Sequence, residues 1–371
     1  MTTGSLPGEE FVDAEYAPVS IRRRQLGTGL IVIATLGMLL VALLQALDSS
    51  GLLALGFSNW RPTLYAYLVW AVALGLGQVL ARGEAGWRAL FVLPAALFVF
   101  AFALFPTLAG IFIAMTDWNL SSIGGPKFNG LDNFVALLND RFYWNAMGNM
   151  LLYTALVLVE YVVAFGLALL LNAEIRARKF WRVTFLIPLM LSPVAVSWMI
   201  GKSMLEGRFG PIARFARWLG WESPTFFAQP WVARLFIEAM DAWMFIPFVM
   251  ILLLAGLQAL PKEVQEAARV DGASGWQSFW KITFPLMLPV SVTAIILRII
   301  FKLKMADIVI NVTSGGPGGA TDTVSSFIYR EYRDRSNVGY GTMLAMVYLV
   351  LIIVFITLLL SFVSKRMQKV T

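Results

Sequence analysis

The sequence predicts an all-α membrane protein with about eight transmembrane helices, and three observations carry that prediction. Of 371 residues, 59% are hydrophobic and 14% charged, and the mean hydropathy is +0.74, which suits a polytopic membrane chain and excludes a soluble one. The apolar residues fall in runs of about twenty, enough for a helix to cross a hydrocarbon core of about 30 Å. The net charge of +7 comes from Lys and Arg set at the ends of those runs, a pattern of membrane topology rather than of a nucleic-acid-binding face. Cys and His are absent, which removes disulfides, thiolate and imidazole catalysis and the usual zinc ligands, so no metal site is expected.

Taken in order, residues 1–25 read as a disordered cytoplasmic tail, acidic at Glu9, Glu10, Asp13 and Glu15 and without apolar periodicity. Arg22, Arg23 and Arg24 lead into the first apolar run, which ends at Leu47. A cleaved secretory signal would have a shorter core nearer the start, so this run reads as an anchor. Further spans are expected over about 62–80, 88–115 with Pro94 and Pro106, 147–171, 183–204 with Pro188 and Pro193, 232–257, 289–312 and 341–363. The polar stretches 116–145 and 207–231 and the Gly-rich TSGGPGGATDT are loops. Fifteen of the 29 basic residues fall on one side: Arg22, Arg23, Arg24, Arg82, Arg88, Arg176, Arg178, Lys179, Arg182, Lys262, Arg269, Lys281, Lys365, Arg366 and Lys369. That side is the cytoplasm, so both termini are expected there.

The stretch Glu266 to Pro289, EAARVDGASGWQSFWKITFPLMLP, is a polar island between two apolar runs. Pro261 suits a first helical position, Glu263 and Glu266 lie near the positive helix end, and Gly272 is a natural stop. Ser274 and Gln277 have capping-box spacing, so a second helix follows at once. The apolar side chains Val264, Ala268, Trp276, Phe279 and Trp280 are expected to face another protein.

Glu266-Ala267-Ala268, Asp271, Gly272 six residues after the Glu, Ile282 ten further on and Pro285 resemble the EAA loop of the membrane-spanning permease subunits of bacterial ABC carbohydrate importers, the binding-protein-dependent maltose and glycerol-phosphate type. Phe284 stands where that family usually has Leu. TDWN and GLDNF resemble the family's first external loop, and Arg298, Asp307 and Thr313 to Pro317 match its Arg, Asp and Thr-x-Gly-Gly-Pro pattern. The resemblance covers roughly residues 88–363. It implies a type I importer core of six helices over 88–371, preceded by two accessory helices in 26–81. The core's transmembrane part lies at roughly 145–363 and its cytoplasmic coupling loop at 259–285. It further implies a multi-pass protein of the bacterial inner membrane that assembles with a second permease, two ATPase subunits and an external solute-binding protein to import a sugar or polyol. ATP is then used by the partner ATPase and no cofactor by this chain. A self-sufficient transporter driven by an ion gradient, with Glu160 or Asp307 as the ion site, is the alternative, though it has no ATPase for such a loop to engage.

Charges within a span cost about 2.5 to 3.5 kcal/mol each at mid-membrane on insertion scales, so they should face protein or water. Arg298 and Lys302 share a helix face, with Glu160 and Asp241 as available acids, while Lys304 and Asp307 can pair with each other. These groups line a hydrated solute path with aromatics such as Tyr153, Tyr161, Trp243 or Phe245, or they lock helices together as a structural network. The expectation places Lys302 on the path and Arg298 in structure. The chain is not expected to be an enzyme: G-x-x-x-x-G-K-[ST] is absent, GGPGG runs into Ala-Thr without Lys, and no nucleophile has a base and orienter.

Overall fold

The computed structural model describes residues 19–49, 52–57 and 59–367, and the chain divides into two compact units. The first comprises the residues through Trp118 together with Ser122–Gly130. Its helices are α1 (Ile21–Ser49), α2 (Arg61–Arg82) and α3 (Glu84–Ala114). Lipid offers no hydrophobic drive to pair helices, so small residues that let backbones approach do the work. A Cβ on Gly27 would lie 2.5 Å from the Ala81 nitrogen, and one on Gly77 2.4 Å from Ile31 Cγ1. Trp70 Nε1 donates to Thr35 Oγ1 at 3.0 Å across the same seam. Asp48 closes the α1–α2 connector by accepting from the amides of Leu55, Gly56 and Phe57. Within α3 a π-helical turn, Phe100–Leu104, precedes Pro106, where the missing N–H and the ring widen the ladder.

The second unit holds Asn119–Ser121 and the residues from Leu131 onward. Its elements are α4 (Asp132–Leu138), α5 (Arg141–Asn172), α6 (Arg178–Met190), α7 (Pro193–Met204), α8 (Pro211–Trp218), α9 (Pro230–Ala259), α10 (Lys262–Val270), α11 (Gly275–Leu303), α12 (Asp307–Val312), α13 (Val324–Arg333) and α14 (Val338–Met367). Asp140 caps α5 by accepting from the amides of Phe142 and Tyr143. The core lies between α5, α9 and α11 in two apolar clusters. One gathers Ala164, Phe165, Leu171, Leu253, Leu257 and Met287; the other gathers Tyr153, Ile237, Met240, Met305 and Val309. At Gly256 a Cβ would meet the Met287 and Val290 side chains at 2.9 Å, so the first cluster depends on α9 and α11 packing closely.

Several expectations need correction. The first helix starts at Ile21, so Arg22–Arg24 and the end of the expected tail are helical; residues 1–18 lie outside the described residues. The expected span 183–204 is two helices meeting at 95°, with Ser192 capping α7 and Pro193 at its first turn. The expected span 289–312 breaks at Lys304–Ala306, so α12 is a separate short helix. The short helices α4, α8 and α13 occupy stretches expected to be loop; they are too short to give a span-length apolar run.

Candidate functional site

Three helices bring five charged side chains to one point inside the second unit. On α11, Arg298 and Lys302 lie one turn apart, and on α9, Glu238 and Asp241 share a face at a spacing of three. Glu160 projects from α5. All five are buried, the two cations completely. Arg298 grips Glu160 at two points, Nε to Oε2 at 2.5 Å and Nη2 to Oε1 at 3.0 Å, and also donates to Asp241. Lys302 Nζ is 2.8 Å from Glu160 Oε1 and from Glu238 Oε2 and also donates to Asp241. The Phe245 ring lies beneath Arg298, its centroid 4.5 Å from Cζ. Three acids therefore face two cations, so one acid of the set has no matching cation. Among the described residues, Glu238 Oε1 and Arg298 Nη1 have no hydrogen-bond partner.

The three carboxylates offer oxygens within 4.8 Å of one another, a separation that suits a metal ion. Lys302 Nζ, bonded to all three, stands where such an ion would sit. The set fits an internal ammonium and leaves no room for a metal.

The network corrects the expectation for Lys302, which is enclosed by carboxylates rather than turned to a hydrated path. Sequence reasoning named Glu160 and Asp241 as partners but missed Glu238, although it lies three residues from Asp241 on the same helix face. Lys304 and Asp307 are both exposed, and no ion pair joins them among the described residues, because the helix ends at Leu303 and their expected shared face is lost. Tyr161 donates to Ser291 Oγ at 2.9 Å, Tyr153 is buried in the core, and Trp243 is partly exposed, apart from the network.

Next to the network a cavity of about 200 Å³ opens where both broken helices stop. Pro193 of α7 and Lys304, Met305, Ala306 and Asp307 of the α11–α12 break line it, with Asp241, Phe245 and Phe301 on its wall. The Phe245 and Phe301 rings stack at 6.0 Å. Of the residues expected on a solute path, Asp307 lines this cavity, whereas Glu160, Arg298 and Lys302 lie behind Asp241.

The segment between α9 and α11 is a second feature. Pro261 caps α10 rather than opening it. Glu266, Ala267 and Asp271 are exposed, Ala268 is buried, and Gly272 turns the chain at φ +74. The Ser274 amide donates to Gln277 Oε1 at 2.9 Å and the Gln277 amide to Ser274 Oγ at 3.3 Å, completing the capping box. Phe279 and Phe284 pack inward on the core, and Ile282 and Pro285 are half-buried beside them. Val264, Val270 and Trp280 point outward with Trp276, which is 72% exposed. A π-helical turn at Phe279–Thr283 relieves the ladder before Pro285.

The Thr313–Pro317 loop folds over Asp322. Gly315 sits at φ +81, and a Cβ there would lie 2.3 Å from Asp322 Oδ1. Asp322 accepts from Arg330 and from Ser326 Oγ at 3.0 Å, yet burial outweighs the Arg330 guanidinium and pushes its carboxyl up to about 6. Asn149 of α5 donates to Gly319 O at 3.2 Å and Asp322 O at 3.0 Å, and Arg234 of α9 donates to Ala320 O at 2.8 Å. Nothing in the sequence marked Asp322, Asn149 or Arg234 as anchors of this loop, since each pairing spans many residues.

The family of binding-protein-dependent transport system inner membrane components matches residues 161–370. A trehalose/maltose transport system permease protein of Thermococcus litoralis is 32% identical over 274 residues, covering 72% of this chain and 90% of that protein. An sn-glycerol-3-phosphate transport system permease protein of Agrobacterium fabrum is 31% identical over 249 residues, covering 65% and 83%. In fold, a bacterial alginate ABC transporter solved with an alginate-pentasaccharide-bound periplasmic protein superposes with a TM-score of 0.63 at 21% identity, covering 82% of this chain and 96% of that one.

Proposed function

Because this chain belongs to the binding-protein-dependent transport system inner membrane component family, we propose that it is the membrane-spanning permease subunit of an ATP-driven ABC importer for a sugar or polyol. Family membership sets aside the ion-gradient transporter. In this reading the chain sits in the bacterial inner membrane with both termini cytoplasmic. It pairs with a second permease, receives solute from an external binding protein, and leaves ATP hydrolysis to two partner ATPase subunits.

The observation that carries the coupling assignment is the exposed turn between α9 and α11. Glu266, Ala267, Asp271 and Gly272 present a rigid helix–turn–helix, its second helix stapled by Ser274 and Gln277. An exposed Trp276 and Val270 beside it are an expensive surface to leave in water, and a docking ATPase would cover them. Ala268 is buried, and Ile282 and Pro285 are half-buried in the helix that follows the turn. The solute path runs past the cavity walled by Asp241, Phe245 and Phe301, with Asp307 on its lining. Hydroxyls can donate to Asp241 and the apolar face of a sugar ring can stack on Phe301. Purifying the chain with its partner ATPase tests the coupling assignment: Trp276→Ala or Gly272→Val should release the ATPase while leaving the chain folded. An ATPase that stays bound to both variants overturns it.

A further inference from the structure

We infer that a cavity between α1, α2 and α3 binds a single glycerophospholipid, with Arg61 at its phosphate, Thr63 at an ester carbonyl and the rings of Tyr67 and Phe100 along an acyl chain. The inference concerns the first unit alone and needs only that this unit stands in a membrane.

The cavity has a volume of about 480 Å³, and its lining grades from polar to apolar along α2. Arg61, the first residue of that helix, lines it, is exposed, and forms no ion pair among the described residues. Thr63 follows about 3 Å further along the helix axis. It is only 6% exposed, and its Oγ1 has no hydrogen-bond partner among the described residues. Beyond it the lining is rings and alkyl groups. Tyr67, one turn on, donates its hydroxyl to Leu97 O and so offers the cavity its ring, stacked on Phe100 at 5.9 Å. Phe100 and Ala101 belong to the π-helical turn of α3, Met38 lines the cavity from α1, and Phe105 meets Trp60 edge-on at 6.4 Å. A buried hydroxyl and a cation at the end of a span, neither matched by protein, call for a ligand that brings an acceptor to each. A glycerophospholipid brings them in the order the lining requires: a phosphate for the guanidinium, an ester carbonyl further in for the hydroxyl, then an acyl chain for the rings. A neighbouring transmembrane helix does not, because its backbone carbonyls are already bonded within the helix. A sugar would meet no polar partner past Thr63.

The test uses the full chain purified in detergent, stripped of lipid and titrated with dioleoyl phosphatidylglycerol, with bound lipid counted by native mass spectrometry. In the wild type a first lipid should bind at least about tenfold more tightly than those that follow. Arg61→Ala and the isosteric Thr63→Val should each weaken that first site about tenfold, whereas Arg82→Ala at the other end of α2 should leave it unchanged. Ala101→Trp, which fills the cavity, should remove it. Dioleoylglycerol, which keeps the esters and chains but lacks the phosphate, should bind the wild type about tenfold more weakly. Absence of a distinct first site in the wild type overturns the inference, as does a first site unchanged in either Arg61→Ala or Thr63→Val, or one weakened as much by Arg82→Ala. Equal binding of dioleoylglycerol overturns it too. A second protein chain that copurifies one-to-one and is released by Ala101→Trp would make the cavity a helix-docking site and overturn the lipid assignment.

Discussion

Lys302→Met is the sharpest probe of the buried network. Methionine nearly matches the volume of the lysine stem, so packing changes little and the variant isolates the charge. Lys302 Nζ holds three carboxylates at once, two of them at 2.8 Å. Without it, three buried acids share Arg298 alone, which already has one unpartnered nitrogen. Removing one partner of a buried ion pair costs about 3 to 5 kcal/mol, because the survivors stay desolvated. For a domain of this size that is a fall of roughly 5 to 15 °C in melting temperature, measured in detergent by tryptophan fluorescence. Glu238→Gln changes only the acid that has no matching cation, leaving two carboxylates for two cations, and should melt near the wild-type temperature. A Lys302→Met protein that melts with the wild type, or a Glu238→Gln protein that melts as low as Lys302→Met, would refute the charge accounting.

Other perturbations separate the remaining features. Gly272→Val puts a β-branched residue at φ +74, where space is open but the backbone is strained, so uptake by the assembled importer should fall by more than tenfold while membrane abundance holds; wild-type uptake would remove the turn from coupling. Asp322 has a folded pKa of about 6 against an ordinary 3.8, so the folded state holds its proton more tightly than the unfolded one. The stability it contributes is therefore greatest below pH 4 and declines as pH rises to about 6, by about 3 kcal/mol in all, then levels off. Melting curves from pH 4 to 7.5 should show that decline in the wild type and not in Asp322→Asn; parallel profiles would contradict it. Gly77→Leu would drive a side chain into Ile31 and the Gly27 carbonyl and should separate α1 from α2, seen as loss of a disulfide engineered between them.

Much of this could be read from the residues because membrane helices announce themselves by long apolar runs, and turn chemistry is local. Gly272, Ser274 and Gln277 needed only their neighbours to define a turn, and the structure places them as their types demand. The breaks at Ser192–Pro193 and Lys304–Ala306 escaped notice because apolar residues resume on either side of each, and hydropathy does not register where one helix stops and the next begins. Glu238 was overlooked in a run read for its apolarity, and the position of Lys302 past mid-span says nothing of the carboxylates that enclose it. Asp322 shows the deeper obstacle: its loop is fixed by Asn149 and Arg234 on two other helices, and such distant pairings are set by packing rather than by sequence spacing.

The network joins α9 to α11 beside the cavity, while the turn through Gly272 joins the same two helices at their opposite ends. From Asp241 to Ala259 is roughly 27 Å at the helical rise, so the pair forms a long, narrow frame riveted at top and bottom. A frame closed at both ends cannot open like scissors. A force applied at the turn must tilt it as a single lever, and the tip of that lever is the wall holding Asp241, Phe245 and Phe301.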